Sequence, residues 1–299
     1  MFLKKRTVNH TLYWSIAENQ REGKKIKQKT IRNLGNTEKA WEIIKSEYPQ
    51  FIHKIKPYVV SKKKLRIAVL FDGAGLARLG LEQAGHECVG FELDPLKHML
   101  SKHVGSGNCV LADATKVDLS EFDAVWASPP CQVHSMARTQ GAPKSPFSQD
   151  YLDWSLSIDK PILWVENVVR PGQKPWGKLY NAAQFLPEPI QNRNRMIGGR
   201  YKKPKVFRRY KRSFPGICPA ITATEYKGCS SDKRRASRFY GRKLTIEEAA
   251  FHQGFEIPKA WYEVPEGFTK AQWYRNIYEA IGNGVPVYMA KAFGEAYSF

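Results

Sequence analysis

The run Ala124-Val125-Trp126-Ala127-Ser128-Pro129-Pro130-Cys131-Gln132 decides how this chain is read. Its apolar half reads as a buried strand. It stops at two prolines, which cannot donate to a strand ladder and which hold the preceding residue extended. The chain therefore leaves the sheet in a stiff loop, and Cys131 is the first residue with chemistry on that loop. Ligands of open α/β sheets bind at the carboxyl ends of the strands. A single cysteine after a turn is more often a structural thiol than a reactive one, so the reading rests on the segments around it.

Outward from this run, strand and helix alternate. Residues 65–71 read as a strand, Asp72-Gly73-Ala74-Gly75 as a tight turn, and 76–84 as a helix with Gly85 just past its end. Strands at 87–92 and 109–113 each end in an acid, with a helix over 94–103 between them. Residues 122–127 form the fourth strand and 162–168 the fifth. This alternation predicts an α/β fold built on a doubly wound, mostly parallel sheet.

The first turn, Phe71-x-Gly73-x-Gly75, follows a strand and opens a helix. Glycines there let the backbone turn tightly and approach a ligand. Glu92 follows about twenty residues on, where a carboxylate accepts ribose hydroxyls. Asp113, at the third strand end, is placed to accept the exocyclic amine of an adenine. Together they suit an adenosine-containing cofactor with no pyrophosphate to hold. Taken singly, either acid reads equally as a solvated loop residue.

The chain has 299 residues, enough for one large domain and a small one, and 42% of them are hydrophobic. No run of about eighteen apolar residues predicts a membrane span, and the charged start Met1-Phe2-Leu3-Lys4-Lys5-Arg6 is not followed by the apolar stretch of a secretory signal. The five cysteines show neither paired nor metal-ligand spacing, so a reducing compartment and no metal are expected. With 48 Lys and Arg against 28 Asp and Glu, the net charge is +20. Such an excess, clustered as it is here, points to a nucleic-acid partner rather than to solubility alone.

Residues 1–64 read as a separate basic appendage of α+β type. Residues 11–16 and 25–31 read as two strands, the second with lysines on one face, joined by a turn over 19–24. Thr37 is placed to cap a helix over 38–47. The segment is similar to the short N-terminal part of some transposases. Residues 61–64 form the expected linker.

Five later segments complete a set: Pro129-Pro130-Cys131-Gln132; Glu166-Asn167-Val168; Gln191-Asn192-Arg193-Asn194-Arg195; Arg242-Lys243-Leu244-Thr245 with Gln253-Gly254-Phe255; and Gly282-Asn283-Gly284-Val285-Pro286-Val287. With the glycine turn, and in this order, they closely resemble the cytosine-C5 DNA methyltransferases over residues 65–299. The resemblance implies a Rossmann-like class I methyltransferase fold with S-adenosyl-L-methionine as cofactor. It implies that residues 65–199 and 280–299 make the catalytic domain, and that 200–279 make a short basic target-recognition region.

What the resemblance implies for the site is chemically coherent. Carbon 5 of cytosine is a poor nucleophile until a thiolate adds to carbon 6, a case of covalent catalysis that splits one hard step into two. Cys131 would be that nucleophile, its pKa lowered from roughly 8.5 by nearby amides or arginines. Glu166 would bind the N3 and amino edge of the base. Arg195 would contact the ring O2, and Arg193 would hold the catalytic loop or the thiol region; phosphate binding or a surface pair is the alternative for both arginines. Phe71 would stack on adenine, Pro129 would line the cofactor pocket, and Asn283 would help hold the cofactor and the Cys131 loop. The loop 133–141 would close over a flipped base, with His134 where the family usually has an aromatic.

The sequence departs from the family at Leu93, where an aromatic is common, at Gly284, where serine is common, and in the short interval between Arg195 and Arg242. That interval is dense in cations, Arg200 to Arg212 and Lys233 to Arg238, interleaved with aromatics such as Phe207 and Tyr210. Cations hold phosphates and aromatics stack on bases. The expected partner is double-stranded DNA, bound by a cytoplasmic monomer of prokaryotic, archaeal or phage origin. A tRNA or RNA cytosine-5-methyltransferase is the alternative, followed by a non-catalytic nucleic-acid-binding relative and by an enzyme transferring another group.

Overall fold

Three antiparallel strands open the chain: β1 (Phe2–Val8), β2 (Thr11–Glu22) and β3 (Lys25–Asn36), followed by helix α1 (Thr37–Glu47), a 3-10 turn and the short helix α2 (Ile52–Ile55). Trp14, Ile16 and Leu34 from the sheet meet Ala40, Ile44, Phe51 and Ile55 in a small core. The Trp14 indole donates to Thr37 Oγ1 at 2.9 Å and ties the sheet to the start of the helix. Strand β1 has no apolar alternation of its own; its pairing with β2, from Phe2↔Ala17 to Val8↔Thr11, makes it a strand. The hairpin also differs from the expected one. Residues 19–22 are not a turn but continue the ladder to Glu22↔Lys25. Their polar side chains hide strand periodicity, because the signal requires one buried face.

The computed structural model describes residues 1–8, 11–22, 25–55, 64–130, 147–169, 174–227 and 236–298. The chain divides into the units Met1–Lys62 and Lys63–Phe299. The second unit is built from β4 (Arg66–Leu70), α3 (Leu76–Gln83), β5 (Glu87–Glu92), α4 (Pro95–Ser101), β6 (Cys109–Leu111), β7 (Ala124–Ala127), α5 (Phe147–Ser157), β8 (Ile162–Val168), β9 (Lys178–Asn181), β10 (Asn194–Arg200), α6 (Ala236–Tyr240), α7 (Ile246–Gln253), α8 (Lys270–Asn283) and α9 (Val287–Glu295).

Its sheet has seven strands in the order β6-β5-β4-β7-β8-β10-β9. The first five run parallel and β10 is antiparallel to both of its neighbours. The continuous apolar strands follow from burial on both faces. Ile67, Val69, Trp126 and Trp164 face α3 and α9, among Leu81, Met289 and Phe293. Ala68, Leu70, Val125, Leu163 and Val165 face the other way, toward Leu152 of α5. The C-terminal helix α9 is thus part of the sheet's own core. A third cluster joins Leu76 and Leu100 to Leu244, Trp261, Trp273 and Ile281, so much of 200–279 shares a core with α3 and α4. Among the described residues no helix is long and apolar enough to cross a membrane.

Candidate active site

The chain runs from β4 to β5 and β6 on one side, then crosses back to β7 and β8 on the other. At such a reversal the strand ends part and leave a crevice. Leu70 pairs with Ala127, and Ser128 N donates to Leu70 O at 3.2 Å. The turn after β4 and the proline loop after β7 therefore leave the sheet side by side. A cavity of about 180 Å³ lies there, lined by residues that include Phe71, Gly73, Glu92, Lys97, Pro129, Glu166, Arg195 and Asn283.

On one wall, Phe71 takes a left-handed conformation (φ 58°), unique among the described non-glycine residues. Such a conformation costs a non-glycine residue of order 1 kcal/mol or more and persists only where surroundings impose it. Here they are buried. Asp72 N donates to Phe91 O at 3.0 Å. The Asp72 carboxylate sits in the interior, receiving Arg78 Nε at 3.1 Å and Ser101 Oγ at 2.5 Å. Burial pushes this carboxyl above its usual range while Arg78 opposes the shift. Glycine is required at position 90, since a methyl group there would run into the Asp72 carboxylate. The Phe71 ring is flanked by Tyr151 and Trp154 of α5, with centroids at 5.6 and 6.2 Å.

Glu92, buried at the end of β5, grips this turn. Its Oε2 accepts from Gly73 N at 2.7 Å and its Oε1 from Asp94 N at 2.9 Å. A carboxylate has about four acceptor positions, so these two bonds orient it without exhausting it. Gly75 and Asp113 stand off the cavity wall. Gly75 begins α3 at φ 82°, where a side chain would press on Arg78 and Ser101. Strand β6 ends at Leu111, and the Asp113 carboxylate turns back to accept from Thr115 N at 3.0 Å and Thr115 Oγ1 at 2.7 Å. These bonds, the Thr115 side chain first, hold its pKa below the usual carboxylate value.

On the opposite wall, Glu166 and Arg195 meet across the β8–β10 pair, with Arg195 Nε 2.6 Å from Glu166 Oε1 and both side chains nearly buried. The neighbouring Asn167 donates from Nδ2 to the Pro129 carbonyl at 3.0 Å. The strand that presents Glu166 therefore also holds the proline loop. Pro129 and Pro130 line the cavity, and Cys131 lies outside the described residues together with the loop 133–141 and His134. The described cysteines are poor nucleophiles: Cys88, Cys109 and Cys218 are buried, and burial pushes the thiols of Cys109 and Cys218 up to about 12.

Arg193 is buried and serves other partners. It donates to the Ile221 carbonyl, to Gly282 O at 2.7 Å and to Gly284 O at 3.0 Å, so it clamps both sides of Asn283. Gln253 joins the clamp through Ile281 O at 2.5 Å and Gly284 O at 3.1 Å, and Gln191 reaches Gln253 Oε1 at 2.9 Å. Three of the motif segments thus assemble into one knot that fixes the Asn283 edge of the cavity. Sequence reasoning assigned no role to Asn167, Gln191 or Gln253, and it did not register helix α5. The first three were signalled by their places inside the motifs; the aromatic pair on α5 carried no separate signal.

In the basic interval, Arg200 and Arg208 are committed to backbone carbonyls, Arg200 to Lys160 and Ile158 and Arg208 to Ala183 and Pro187. Lys202, Lys203, Lys205, Arg209, Lys211 and Arg212 are exposed, and Phe207 and Tyr210 are 52% and 37% exposed beside them. Lys233, Arg234 and Arg235 lie outside the described residues. Among the described residues no group of three or more His, Cys, Asp or Glu is arranged to hold a metal ion.

A doubly wound sheet that sets a glycine turn, a strand-end acid and a Glu–Arg pair around one crevice has the class I methyltransferase fold. Residues 65–170 match the family described as C-5 cytosine-specific DNA methylase. Residues 3–50 match the N-terminal domain of the IS1634 family transposases. Among similar solved structures is the Dnmt2 methyltransferase of S. pombe, at 15% identity and a TM-score of 0.47, covering 78% of this chain and 96% of that one. The Entamoeba histolytica methyltransferase EhMeth has 14% identity and a TM-score of 0.49, covering 79% and 98%. A protein encoded within an E. coli prophage, provisionally assigned as a DNA modification methyltransferase, has 14% identity and a TM-score of 0.49, covering 78% and 98%. No curated protein matches the chain.

Proposed function

We propose that this protein transfers a methyl group from S-adenosyl-L-methionine to carbon 5 of a cytosine in double-stranded DNA, through a covalent bond between Cys131 and carbon 6. The observation that carries the reading is the Glu166–Arg195 pair, set in the same cavity as the glycine turn and Pro129 and Pro130, the two residues that precede Cys131 in the sequence. The cofactor supplies an electrophilic methyl group on a sulfonium. The wall that fits it is the one built from Phe71, Gly73, Glu92, Pro129 and Asn283, with an aromatic face for the adenine and a pre-oriented carboxylate for the ribose. Gly75 supports that wall from beneath, and the Asp113 carboxylate, held by Thr115, stands beyond it.

At the base, Glu166 bonds the N3 and amino edge while Arg195 holds O2. A proton held at N3 stabilises the ring as the Cys131 sulfur adds to carbon 6 and electron density moves to carbon 5. After carbon 5 takes the methyl group, water accepts the carbon-5 proton, the released electron pair forms the C5–C6 double bond, the Cys131 sulfur leaves as thiolate, and the N3 proton returns to Glu166. Asn167 acts as a positioning residue by holding the Pro129 carbonyl, and Arg193 positions Asn283. The exposed cations and aromatics of 202–212 suit phosphate and base contacts. A transposase-type N-terminal segment joined to a methylase suits a mobile genetic element.

The test is methyl transfer from labelled cofactor to duplex DNA and to tRNA in parallel, with bisulfite sequencing of the products. Methylation of DNA at cytosine carbon 5, abolished by Cys131→Ala, is the expected result. Transfer to tRNA alone moves the assignment to RNA, and activity that survives Cys131→Ala removes the covalent mechanism.

A further inference from the structure

In the N-terminal unit, β2 and β3 outrun the rest of the sheet. β1 pairs only with residues 11–17 of β2, whereas the β2–β3 ladder continues through Glu18↔Lys29, Asn19↔Gln28, Gln20↔Lys27 and Arg21↔Ile26. Among the described residues, none from 18–30 belongs to the core beneath the sheet. Asn19, Gln20, Arg21, Ile26, Lys27, Gln28, Lys29 and Thr30 are all exposed. A two-stranded ribbon is marginal by itself, and among the described residues this one contributes nothing to the apolar core of its unit.

Its register sorts the side chains. Directly opposed residues share a face and successive residues alternate. One face therefore presents Asn19, Arg21, Ile26, Gln28 and Thr30, with Ile26 directly opposite Arg21, and the other Glu18, Gln20, Lys27 and Lys29. Gln20 donates to Glu18 at 3.0 Å within the second face. The first face holds the side-chain types that read base edges, since Asn and Gln bond adenine bidentately and Arg bonds guanine. The second holds lysines whose long stems suit phosphates at the groove walls. Residues 1–62 carry fourteen Lys and Arg against five Asp and Glu, which complements a polyanion.

We propose that this ribbon, through residues 18–21 and 26–30, enters the major groove of duplex DNA and reads sequence with its Asn19–Arg21–Gln28 face. The B-form major groove, about 12 Å wide, admits a two-stranded ribbon. The major groove of an A-form RNA duplex is deep and narrow and does not. The inference rests on the reading of DNA as the substrate. It places target choice partly in the N-terminal unit, where the short interval before Arg242 leaves little chain for it.

The test uses the full chain with no methyl donor present, so its outcome is independent of methyl transfer. Binding selection from a random duplex pool is expected to enrich a short motif. Asn19→Ala with Gln28→Ala should lower discrimination at one or two positions by roughly tenfold each, with circular dichroism confirming the fold. Lys27→Gln with Lys29→Gln should weaken all sequences alike and lower the salt slope by about two. Methylation of guanine N7, a major-groove atom, should interfere with binding of the unaltered chain. No enriched motif, a motif unchanged in the Asn19/Gln28 variant, indifference to N7 methylation, or duplex RNA bound as tightly as DNA would each overturn the proposal.

Discussion

Glu166 and Arg195 lie on adjacent antiparallel strands with Oε1 and Nε 2.6 Å apart, and both are nearly buried at the wall of one cavity. Two opposite charges in a partly desolvated site fix each other's orientation, and removing one strands the other. Glu166→Gln and Arg195→Met are each expected to lower the rate of methyl transfer by roughly a hundredfold to ten-thousandfold. DNA affinity should change far less. Single-turnover rates beside binding isotherms check this; equal losses in both would remove the pair from the chemistry.

Arg193, two residues earlier, is predicted to behave differently. Its guanidinium fastens Ile221, Gly282 and Gly284 around Asn283. Arg193→Met leaves buried carbonyls without their donor, at about 2–5 kcal/mol in stability. A lower Tm with weakened cofactor binding, and partial recovery in Arg193→Lys, is the expected pattern in thermal melts with and without cofactor.

Gly80 sits where α3 crosses α9. A methyl group there would meet the Val287 carbonyl and the Ala290 side chain. Gly80→Ala should therefore cost about 1–3 kcal/mol as the helices are forced apart. Denaturant unfolding measures it, and an unchanged midpoint would show that the C-terminal helix docks more loosely than its buried residues require.

Acid should destabilise the fold through two histidines. Burial holds His252 and His86 below the ordinary imidazole value. His252 Nδ1 lies 2.7 Å from Ile190 O and its Nε2 2.9 Å from Tyr240 Oη. Because the unfolded chain binds a proton at higher pH than the folded one, stability is fully present above about pH 6.5 and falls as pH drops below it. Melting temperature between pH 7.5 and 5.5 tests this, and His252→Asn should flatten part of the slope.

The cations at 202, 203, 205, 209, 211 and 212 are exposed. If they hold phosphates, log Kd for duplex DNA should rise linearly with log salt, and each cation taken away from a phosphate should lower the slope by about 0.9. A slope unaffected by Lys203→Gln with Lys205→Gln would exclude these two from the interface.

Much of the catalytic unit was legible in the order of its residues. Strand β8 occupies 162–168 as read and Glu92 ends its strand, because apolar strands between turn residues are a local signal, whereas Glu166 lies two residues inside β8 rather than at its end. The limits appear where pairing replaces pattern. β1 and the outer ribbon are held by backbone pairing to a neighbouring strand, and nothing in 2–8 or 19–22 alternates in hydrophobicity. Asp113 shows the same limit: the acid was found, but its carboxylate is held by the Thr115 hydroxyl and the residue does not line the cavity.

The alternation that builds the doubly wound sheet, the placing of Phe71 and Glu92 at strand ends, and the strongly basic charge are written in the chain itself. These properties reside in neighbouring residues and survive without knowledge of what packs where. That Arg195 turns to Glu166 while Arg193 turns to Gly282 and Gly284, and that Asn167 holds the Pro129 carbonyl, emerged with the folded molecule alone. Those choices depend on which distant carbonyl or carboxylate is left needing a donor once β8, β10 and α8 have closed around one crevice. That is a question of burial, which no local pattern encodes.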